Sequence, residues 1–295
     1  MAAYVLSAES TADLTREHFL KRDIRYVCFH YRLDGVDYPD DLGKTMPISE
    51  FYERLSAGSE STTSQVNVTE YLEFFEQFLA AGKDILHLCL SSGISGTYNA
   101  ACSAALVARS RYPERKIYIV DSLAASSGYG LLMDGLADGR DSGLSIDELR
   151  DFAESHKLNV HHWFFSTDLT FYVKGRRVSK AAGLFGSVLN ICPLLNVSND
   201  GHLIPRERVR GKKNVIRRAV KKMLENADDG AEYAGKCYIC HSACLSDAEE
   251  LKAQVEAQFP ALKDRVEIYD VGTVIGSHTG PGTVALFFTG KKREN

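Results

Sequence analysis

The chain has 295 residues, of which 44% are hydrophobic and 25% are charged, and its formal net charge is −4. These values are typical of a globular protein; they exclude an intrinsically disordered chain and argue against a general nucleic-acid binder. No run approaches the roughly 18 apolar residues that a membrane-spanning helix requires. Residues 1–6 lack a basic start and are interpreted as a first strand instead of a signal peptide, which predicts a cytoplasmic protein.

The first half of the chain alternates strand and helix patterns. Strands are predicted at 24–33, 85–90 and 116–120, and helices at 47–51, 69–81, 98–108, 128–136 and from 145 onward. Strands that alternate with helices indicate parallel pairing. We therefore predict an N-terminal domain, residues 1–158, built on a mostly parallel α/β sheet.

The second half mixes hairpins with helices. Strands are predicted at 162–166, 189–197, 203–205, 236–241, 265–271 and 285–289, and helices at 214–227 and 246–259. The Asn-Asp-Gly sequence at 199–201 predicts a hairpin turn. We predict a C-terminal mixed α+β domain, residues 159–295, so that the fold class is two-domain α/β.

The seven cysteines, an odd number, do not indicate a disulfide framework. Cys237, Cys240 and His241 have the C-x-x-C-H spacing of c-type haem attachment. A strand at 237–242 would place the two cysteines on opposite faces, which suits neither a haem nor a single metal ion. The structural interpretation is favoured, and no metal site is predicted.

Hydroxyl-rich segments follow several predicted elements. Residues 91–97 join a predicted strand to a helix start, where unpaired N–H groups and the helix dipole favour an anion. Segments 7–11 and 121–122 also follow predicted strands, and 63–65 is predicted to be a similar polar loop. Ligands of open α/β sheets bind at the carboxyl ends of strands. Together these segments predict a neutral cradle for a carboxylate or a phosphate.

An enzymatic alternative remains open. Residues 93–97 resemble the nucleophile elbow G-x-S-x-G around Ser95, although Thr97 stands where the second glycine belongs. A serine esterase or lipase that uses Ser95 is therefore the alternative function. The P-loop, the dinucleotide G-x-G-x-x-G and the zinc motif H-E-x-x-H are absent from the sequence.

Residues 206–222 form a locally basic segment. They contain nine basic residues against the single acid Glu207: Arg206, Arg208, Arg210, Lys212, Lys213, Arg217, Arg218, Lys221 and Lys222. The segment is either a solvated helix surface or a docking face for an acidic partner or a phosphate-bearing ligand. Nucleic acid is disfavoured because no aromatic residue interleaves with the charges.

Several short motifs occur in a fixed order. They are E-S-T-A-D-L at 9–14, T-S-Q at 63–65, L-S-S-G-I-S-G-T-Y at 90–98, V-D-S with G-Y-G at 120–122 and 128–130, K-G-R-R-V-S at 174–179, and V-I-G-S-H-T-G-P-G at 274–282. In kind and order they resemble the motifs of the DegV family of bacterial fatty-acid-binding proteins. The resemblance extends over nearly the whole chain.

The resemblance implies a protein that holds one long-chain fatty acid between two domains. A separate ATP-dependent fatty acid kinase would act on the carboxylate, and the protein, not itself an enzyme, would then carry the acyl-phosphate. Thr63 and Ser95 match the residues that hold the carboxylate. The expected head-group neighbours are Ser64, Ser92, Gly93, Arg177 and His278. No cofactor is expected besides the bound fatty acid.

The resemblance also suggests where the tail and the partner bind. An apolar slot in the second domain is expected to hold the tail. Its candidate residues, each of which could equally be an ordinary core residue, are Phe164, Leu184, Phe185, Val188 and Leu189. Arg210 matches a basic residue implicated in kinase contact, and Arg208 is assigned to the same docking surface. Nucleic acid and an integral membrane segment are not expected, whereas a transient contact with a membrane surface remains open.

Two residues depart from the family pattern. Glu9 stands where the family has Asp, which lengthens the side chain by one methylene, and Arg176 stands where it has glycine, which adds bulk and charge. Neither departure affects Thr63 or Ser95.

A tail of about fifteen methylene and methyl groups, at about 0.8 kcal/mol each when buried, would dominate the affinity.

Overall fold

The structure is a computed structural model that describes residues 4–179 and 190–293. Its strands are β1 Tyr4–Glu9, β2 Ile24–Val27, β3 His30–Leu33, β4 Val36–Pro39, β5 Ser61–Ser64, β6 Asp84–Cys89, β7 Ile117–Asp121, β8 Val160–Ser166, β9 Ile191–Val197, β10 Leu203–Arg210, β11 Cys237–His241, β12 Glu267–Asp270 and β13 Thr283–Thr289. Its α-helices are α1 Arg16–Lys21, α2 Ile48–Ser56, α3 Val68–Leu79, α4 Thr97–Arg111, α5 Ser127–Asp141, α6 Ile146–His156, α7 Thr170–Lys174, α8 Lys212–Asn226, α9 Leu245–Gln258 and α10 Thr273–Thr279. Within these ranges no helix has both the length and the apolar character needed to cross a membrane.

The first sheet is parallel, as its alternation with helices predicts. Its strand order is β2-β1-β6-β7, and each neighbouring pair is parallel. The interior strands β1 and β6 are buried along almost their whole length. Burial on both faces explains why β6 has an apolar sequence without strict alternation.

The second sheet is mixed and uses residues from Val160 onward. Its order is β10-β9-β8-β13-β11-β12, with β11 and β12 parallel and the other neighbouring pairs antiparallel. The turn that joins β9 to β10 includes Gly201, as the Asn-Asp-Gly sequence predicts. The fold class is confirmed, while the domain boundary at residues 158–159 stays a prediction.

A third, antiparallel sheet of order β4-β3-β5 was not predicted. The single strand predicted at 24–33 is wrong, because β2 and β3 belong to different sheets. Between them, Phe29 donates its N–H to Ser10 Oγ at 3.1 Å, and its carbonyl accepts from the Asp40 N–H at 2.8 Å. These bonds hold the chain where it leaves the first sheet.

One predicted loop and one motif segment also form regular structure. Thr63 and Ser64 lie in β5, where backbone pairing with β3 replaces the polar loop expected from their side chains. The closing motif at 274–282 contains helix α10 before its glycine turn. The basic segment is only partly helical, because residues 206–210 belong to the edge strand β10.

The second sheet separates two hydrophobic clusters. Along β8, Phe164 packs in the cluster shared with the first sheet, whereas Phe165 packs in the cluster beneath α8 and α9. Cys237 and Cys240 divide in the same way, which confirms that they lie on opposite faces. We call the side shared with the first sheet the inner face.

Candidate functional site

A cavity of about 610 Å³ lies where the three sheets converge, and we call it the head-group cavity. Its volume is within the range of about 300–1,000 Å³ that is usual for small-molecule sites. The structure brings all the predicted head-group residues to its walls: Thr63, Ser64, Ser92, Gly93, Ser95, Arg177 and His278.

The loop at residues 90–96 forms one wall. It leads from β6 into α4, as the sequence predicts, and Gly96 is the N-cap residue of the helix. Ser95 Oγ accepts the Thr97 backbone N–H at 3.2 Å, which leaves the hydroxyl hydrogen of Ser95 for another acceptor. A β-carbon at Gly96 would lie 2.7 Å from Gln65 Oε1, so a side chain here would displace the Gln65 amide from the loop.

Thr63 and His278 form the opposite wall. Thr63 Oγ1 lies 2.7 Å from His278 Nε2, while His278 Nδ1 has no hydrogen-bond partner among the described residues. Burial, and secondarily the charge of Arg177, lowers the pKa of His278 to about 4. The imidazole is therefore neutral at pH 7. A β-carbon at Gly175 would lie 2.3 Å from Nδ1, so glycine permits this packing.

Arg177 supplies a half-buried positive charge. Its Nη1 donates to the Gly175 carbonyl at 2.5 Å, and burial lowers its pKa. Its guanidinium pairs with no carboxylate of residues 4–179 or 190–293. The cavity is thus not the neutral cradle that its hydroxyl-rich segments alone predict. It combines neutral donors with a cation that lacks a counter-ion there, an arrangement suited to an anion.

Glu9 supports the 90–96 loop from below and was not predicted as a site residue. Its fully buried carboxylate accepts the Leu90 N–H at 3.0 Å and the hydroxyls of Tyr71 and Thr97 at 2.6 and 3.4 Å. Burial alone would raise the pKa of Glu9, but the nearby His87 imidazole and the hydrogen bonds from Tyr71 and Leu90 lower it overall. One ionised side chain therefore holds both ends of the loop.

The same network contains three potential metal-ligating atoms. Those of Glu9, His87 and Cys89 lie within 4.8 Å of one another. The carboxylate oxygens already accept hydrogen bonds, and burial raises the pKa of the Cys89 thiol well above its ordinary value. A metal ion would have to displace these donors and the thiol proton. We therefore interpret the group as a support for the loop.

The β9–β10 turn packs against the other side of the 90–96 loop. Ser91 Oγ donates to the Gly201 carbonyl at 2.9 Å. A β-carbon at Gly93 would lie only 2.6 Å from the Asp200 carbonyl oxygen. The turn therefore fixes the loop across the two halves of the chain, a contact that the sequence pattern did not reveal.

A small apolar cavity of about 50 Å³ adjoins the head-group cavity on the inner face. Phe164 lines it together with Val197, Ile275 and Phe287, and both cavities share Leu203. Phe164, one of the predicted tail residues, thus lies beside the head-group cavity. The other predicted tail residues lie outside the described ranges: Leu184, Phe185, Val188 and Leu189.

Arg208 and Arg210 are exposed on the edge strand β10. Arg208 is paired with Pro193 of β9. The next residue of β9, Leu194, packs beneath α8 on the opposite face of the sheet. Because side chains alternate along a strand, Pro193 and both arginines lie on the inner face. Glu207 points to the other face, where a hydrogen bond from Arg218 at 2.6 Å is the main cause that lowers its pKa to about 2. The positive charge of Arg218 in the basic segment is therefore neutralised by Glu207 of the same segment.

The geometry gives little support to Ser95 as a nucleophile. Its side-chain bond is to the Thr97 backbone, and His278 Nε2 is paired with Thr63 instead. Among the described residues, no imidazole is hydrogen-bonded to Ser95 Oγ as a general base would be. Within the described residues, Ser95 consequently lacks the general base that a serine esterase needs.

The model of the DegV family, described as an uncharacterised protein family, matches residues 5–291. The chain belongs to the DegV family. The DegV domain-containing protein CPE0026 of Clostridium perfringens is 35% identical over 294 residues, which cover 100% of both chains.

Solved DegV structures share the fold. A DegV lipid-binding protein from Thermotoga maritima matches with a TM-score of 0.82 and 27% identity, covering 99% of each chain. A DegV protein from Thermus thermophilus, described for its fatty-acid binding, matches with a TM-score of 0.85 and 25% identity, covering 97% of this chain and 99% of its own. The parallel sheet and the mixed sheet found here are those of DegV proteins.

Proposed function

We propose that this DegV protein binds a long-chain fatty acid and serves as a carrier, without catalysing a reaction itself. The observation that carries the proposal is the head-group cavity, where hydroxyls and the half-buried Arg177 lie beside an apolar cavity. The lipid-binding and fatty-acid-binding descriptions of the Thermotoga and Thermus relatives support it.

The carboxylate would be held by hydroxyl donors. In the tautomer protonated at Nε2, His278 donates to Thr63 Oγ1, and the Thr63 hydroxyl hydrogen is left for the ligand. Ser95 is arranged similarly, because its oxygen accepts the Thr97 N–H. Each hydroxyl is thereby oriented by a second hydrogen bond before it meets the carboxylate.

The tail would extend along the inner face past Phe164. Each methylene removed from water contributes about 0.8 kcal/mol, so tail burial supplies most of the affinity. The head-group donors contribute less net free energy, about 1 kcal/mol for a typical hydrogen bond, and mainly set the orientation. This division of roles suits a protein that must release its cargo.

We further propose that an ATP-dependent fatty acid kinase is the partner and that the acyl-phosphate is the product carried away. The motif resemblance supports this step, together with the exposure of Arg208 and Arg210 on the inner-face side of β10. A cytoplasmic location, where ATP is available, belongs to the same proposal.

The first test is to titrate hexadecanoate into variants of the head-group site by calorimetry. Thr63→Ala and Ser95→Ala should each weaken binding by about 1 kcal/mol, or about fivefold, because a charged head group loses one donor. Thr62→Ala is the matched control, since Thr62 neighbours Thr63 on β5 but does not line the head-group cavity. Unchanged affinity in both site variants would place the carboxylate elsewhere.

Mass spectrometry of a denatured extract tests the ligand class directly. We expect a long-chain fatty acid to accompany the purified protein. The carrier proposal fails if no acyl lipid is found and the protein hydrolyses a nitrophenyl ester in a reaction that Ser95→Ala abolishes.

A further inference from the structure

Helix α7 ends in a turn that presents two consecutive arginines. The Arg176 N–H donates to the Val173 carbonyl at 3.0 Å, and the Arg177 N–H donates to the Tyr172 carbonyl at 2.9 Å. These two bonds define a Schellman motif with Arg176 at the position after the C-cap. Arg176 accordingly has a left-handed backbone, with φ of 58°.

This position favours glycine, because a β-carbon is strained in the left-handed region. Such strain is retained at binding sites more often than elsewhere. Arg176 is also exposed, and it forms no ion pair within the described part of the chain. Neither backbone conformation nor an internal partner therefore accounts for arginine here.

Arg176 and Arg177 both line the head-group cavity, and both line an adjoining cavity of about 1280 Å³. They differ in burial, since Arg177 is half-buried beside His278 whereas Arg176 lies in the more exposed part of the wall. Thr63, Ser95 and Arg177 already offer donors for the single charge of a carboxylate. A second guanidinium matches a head group that carries more charge and more acceptor oxygens.

We propose that Arg176, acting beside Arg177, forms a subsite for a phosphoryl group attached to the bound acyl chain. The subsite gives this protein a preference for a dianionic phosphate head group over a carboxylate. A planar guanidinium can bind two phosphoryl oxygens at once, which a lysine cannot reproduce. The inference rests on the proposed function and specifies the head group that the same cavity favours.

The test compares two probes of equal chain length, hexadecanoate and hexadecyl phosphate, by calorimetry at constant ionic strength. Arg176→Gly should weaken the binding of hexadecyl phosphate about five- to tenfold and the binding of hexadecanoate about twofold or less. The ratio of the two Kd values therefore changes. Arg176→Lys keeps the charge but loses the planar guanidinium, so its affinity for hexadecyl phosphate should lie between those of the wild type and Arg176→Gly. Lys174→Gln, which removes a nearby exposed cation, is the control and should leave the ratio unchanged.

Glycine suits the backbone at position 176, so Arg176→Gly should fold, and a thermal melt verifies this. Equal weakening of both probes, or no weakening of either, would overturn the phosphoryl subsite. An unchanged Kd ratio combined with weaker kinase binding would also overturn the subsite, because Arg176 would then act as a docking residue. A wild-type protein that fails to bind hexadecanoate would instead overturn the proposed function.

Discussion

At the scale of single residues, His278 shows how burial decides the chemistry of a side chain. Its Nε2 contacts the Thr63 hydroxyl, and its pKa is lowered to about 4 by burial and by the charge of Arg177. A charged imidazole here would repel the guanidinium and lose hydration. The folded protein therefore keeps His278 neutral well below pH 7.

This shift predicts a loss of stability in acid. The unfolded chain binds a proton at His278 near pH 6.5, whereas the folded chain does so only near pH 4. Between these values the unfolded state holds more protons, so stability falls as the pH decreases through that window. From pH 7 to pH 5 this group should remove about 2 kcal/mol, measured by urea unfolding of the ligand-free protein.

The control for the acid effect is a histidine in a different environment. His278→Gln should reduce the loss between pH 7 and pH 5, whereas His156→Asn, at the end of the surface helix α6, should not. Some loss should remain in His278→Gln, because burial also lowers the pKa of His161 to about 4. An identical pH dependence in His278→Gln and the wild type would contradict the assignment.

At the scale of elements, the edge strand β10 divides its charges between two faces. Glu207 is paired by Arg218 and Lys222 beneath α8, whereas Arg208 and Arg210 are directed to the inner face. A surface cation contributes to association mainly by steering the partner during the encounter. The two inner-face arginines are therefore the residues of β10 best placed to steer an acidic partner such as the proposed kinase.

If the proposed kinase docks here, reversing both arginines to glutamate should slow its formation of acyl-phosphate about tenfold at low salt, while the affinity for hexadecanoate remains. The effect should shrink as salt rises, because charges are screened over about 8 Å at physiological ionic strength. The matched control is Lys213→Glu with Arg217→Glu, the same charge change on α8. A normal rate in the β10 variant would leave the basic segment without a docking role.

Elements with a strong hydrophobic period were predictable, and those defined by long-range pairing were not. The amphipathic helix α3 and the capping box of α6 are apparent from adjacent residues. The third sheet is not, because β5 becomes a strand only by pairing with β3, about thirty residues earlier. Likewise, motifs place Thr63 and Ser95 among the candidate site residues, whereas the partners of Glu9 are too distant in sequence for a motif to indicate its support of the loop.

At the scale of the whole molecule, Asp134 links the two halves of the chain. Its buried carboxylate pairs with Arg22 at 2.6 Å, with Lys236, and with the Tyr238 hydroxyl at 2.8 Å. Burial alone would raise the pKa of Asp134, but the nearby His18 imidazole and the hydrogen bonds from Lys236 and Tyr238 hold it well below its ordinary value. Asp138 contributes a second carboxylate to Arg22 at 2.6 Å and to Lys236 at 3.0 Å, so Asp134 is the buried centre of a larger charged cluster.

Asp134→Ala should lower the free energy of unfolding by about 2 kcal/mol, because the buried Tyr238 hydroxyl loses its acceptor while Arg22 and Lys236 keep Asp138 as a partner. Urea unfolding at pH 7 measures the change. Asp151→Ala serves as the control, since Asp151 pairs with Arg150 at the surface and should change stability by less than about 1 kcal/mol. Equal effects of the two substitutions would show that the cluster does not hold the halves together.

The Glu9 carboxylate has a consequence for the thermodynamics of ligand capture. Since it holds Leu90 and Thr97 at the two ends of the 90–96 loop, the backbone around Ser92 and Ser95 is ordered by the protein interior. Conformational entropy is then lost during folding and not during ligand binding. Fatty acids of different lengths should meet the same preorganised head-group site, so selectivity among them would arise from the tail alone.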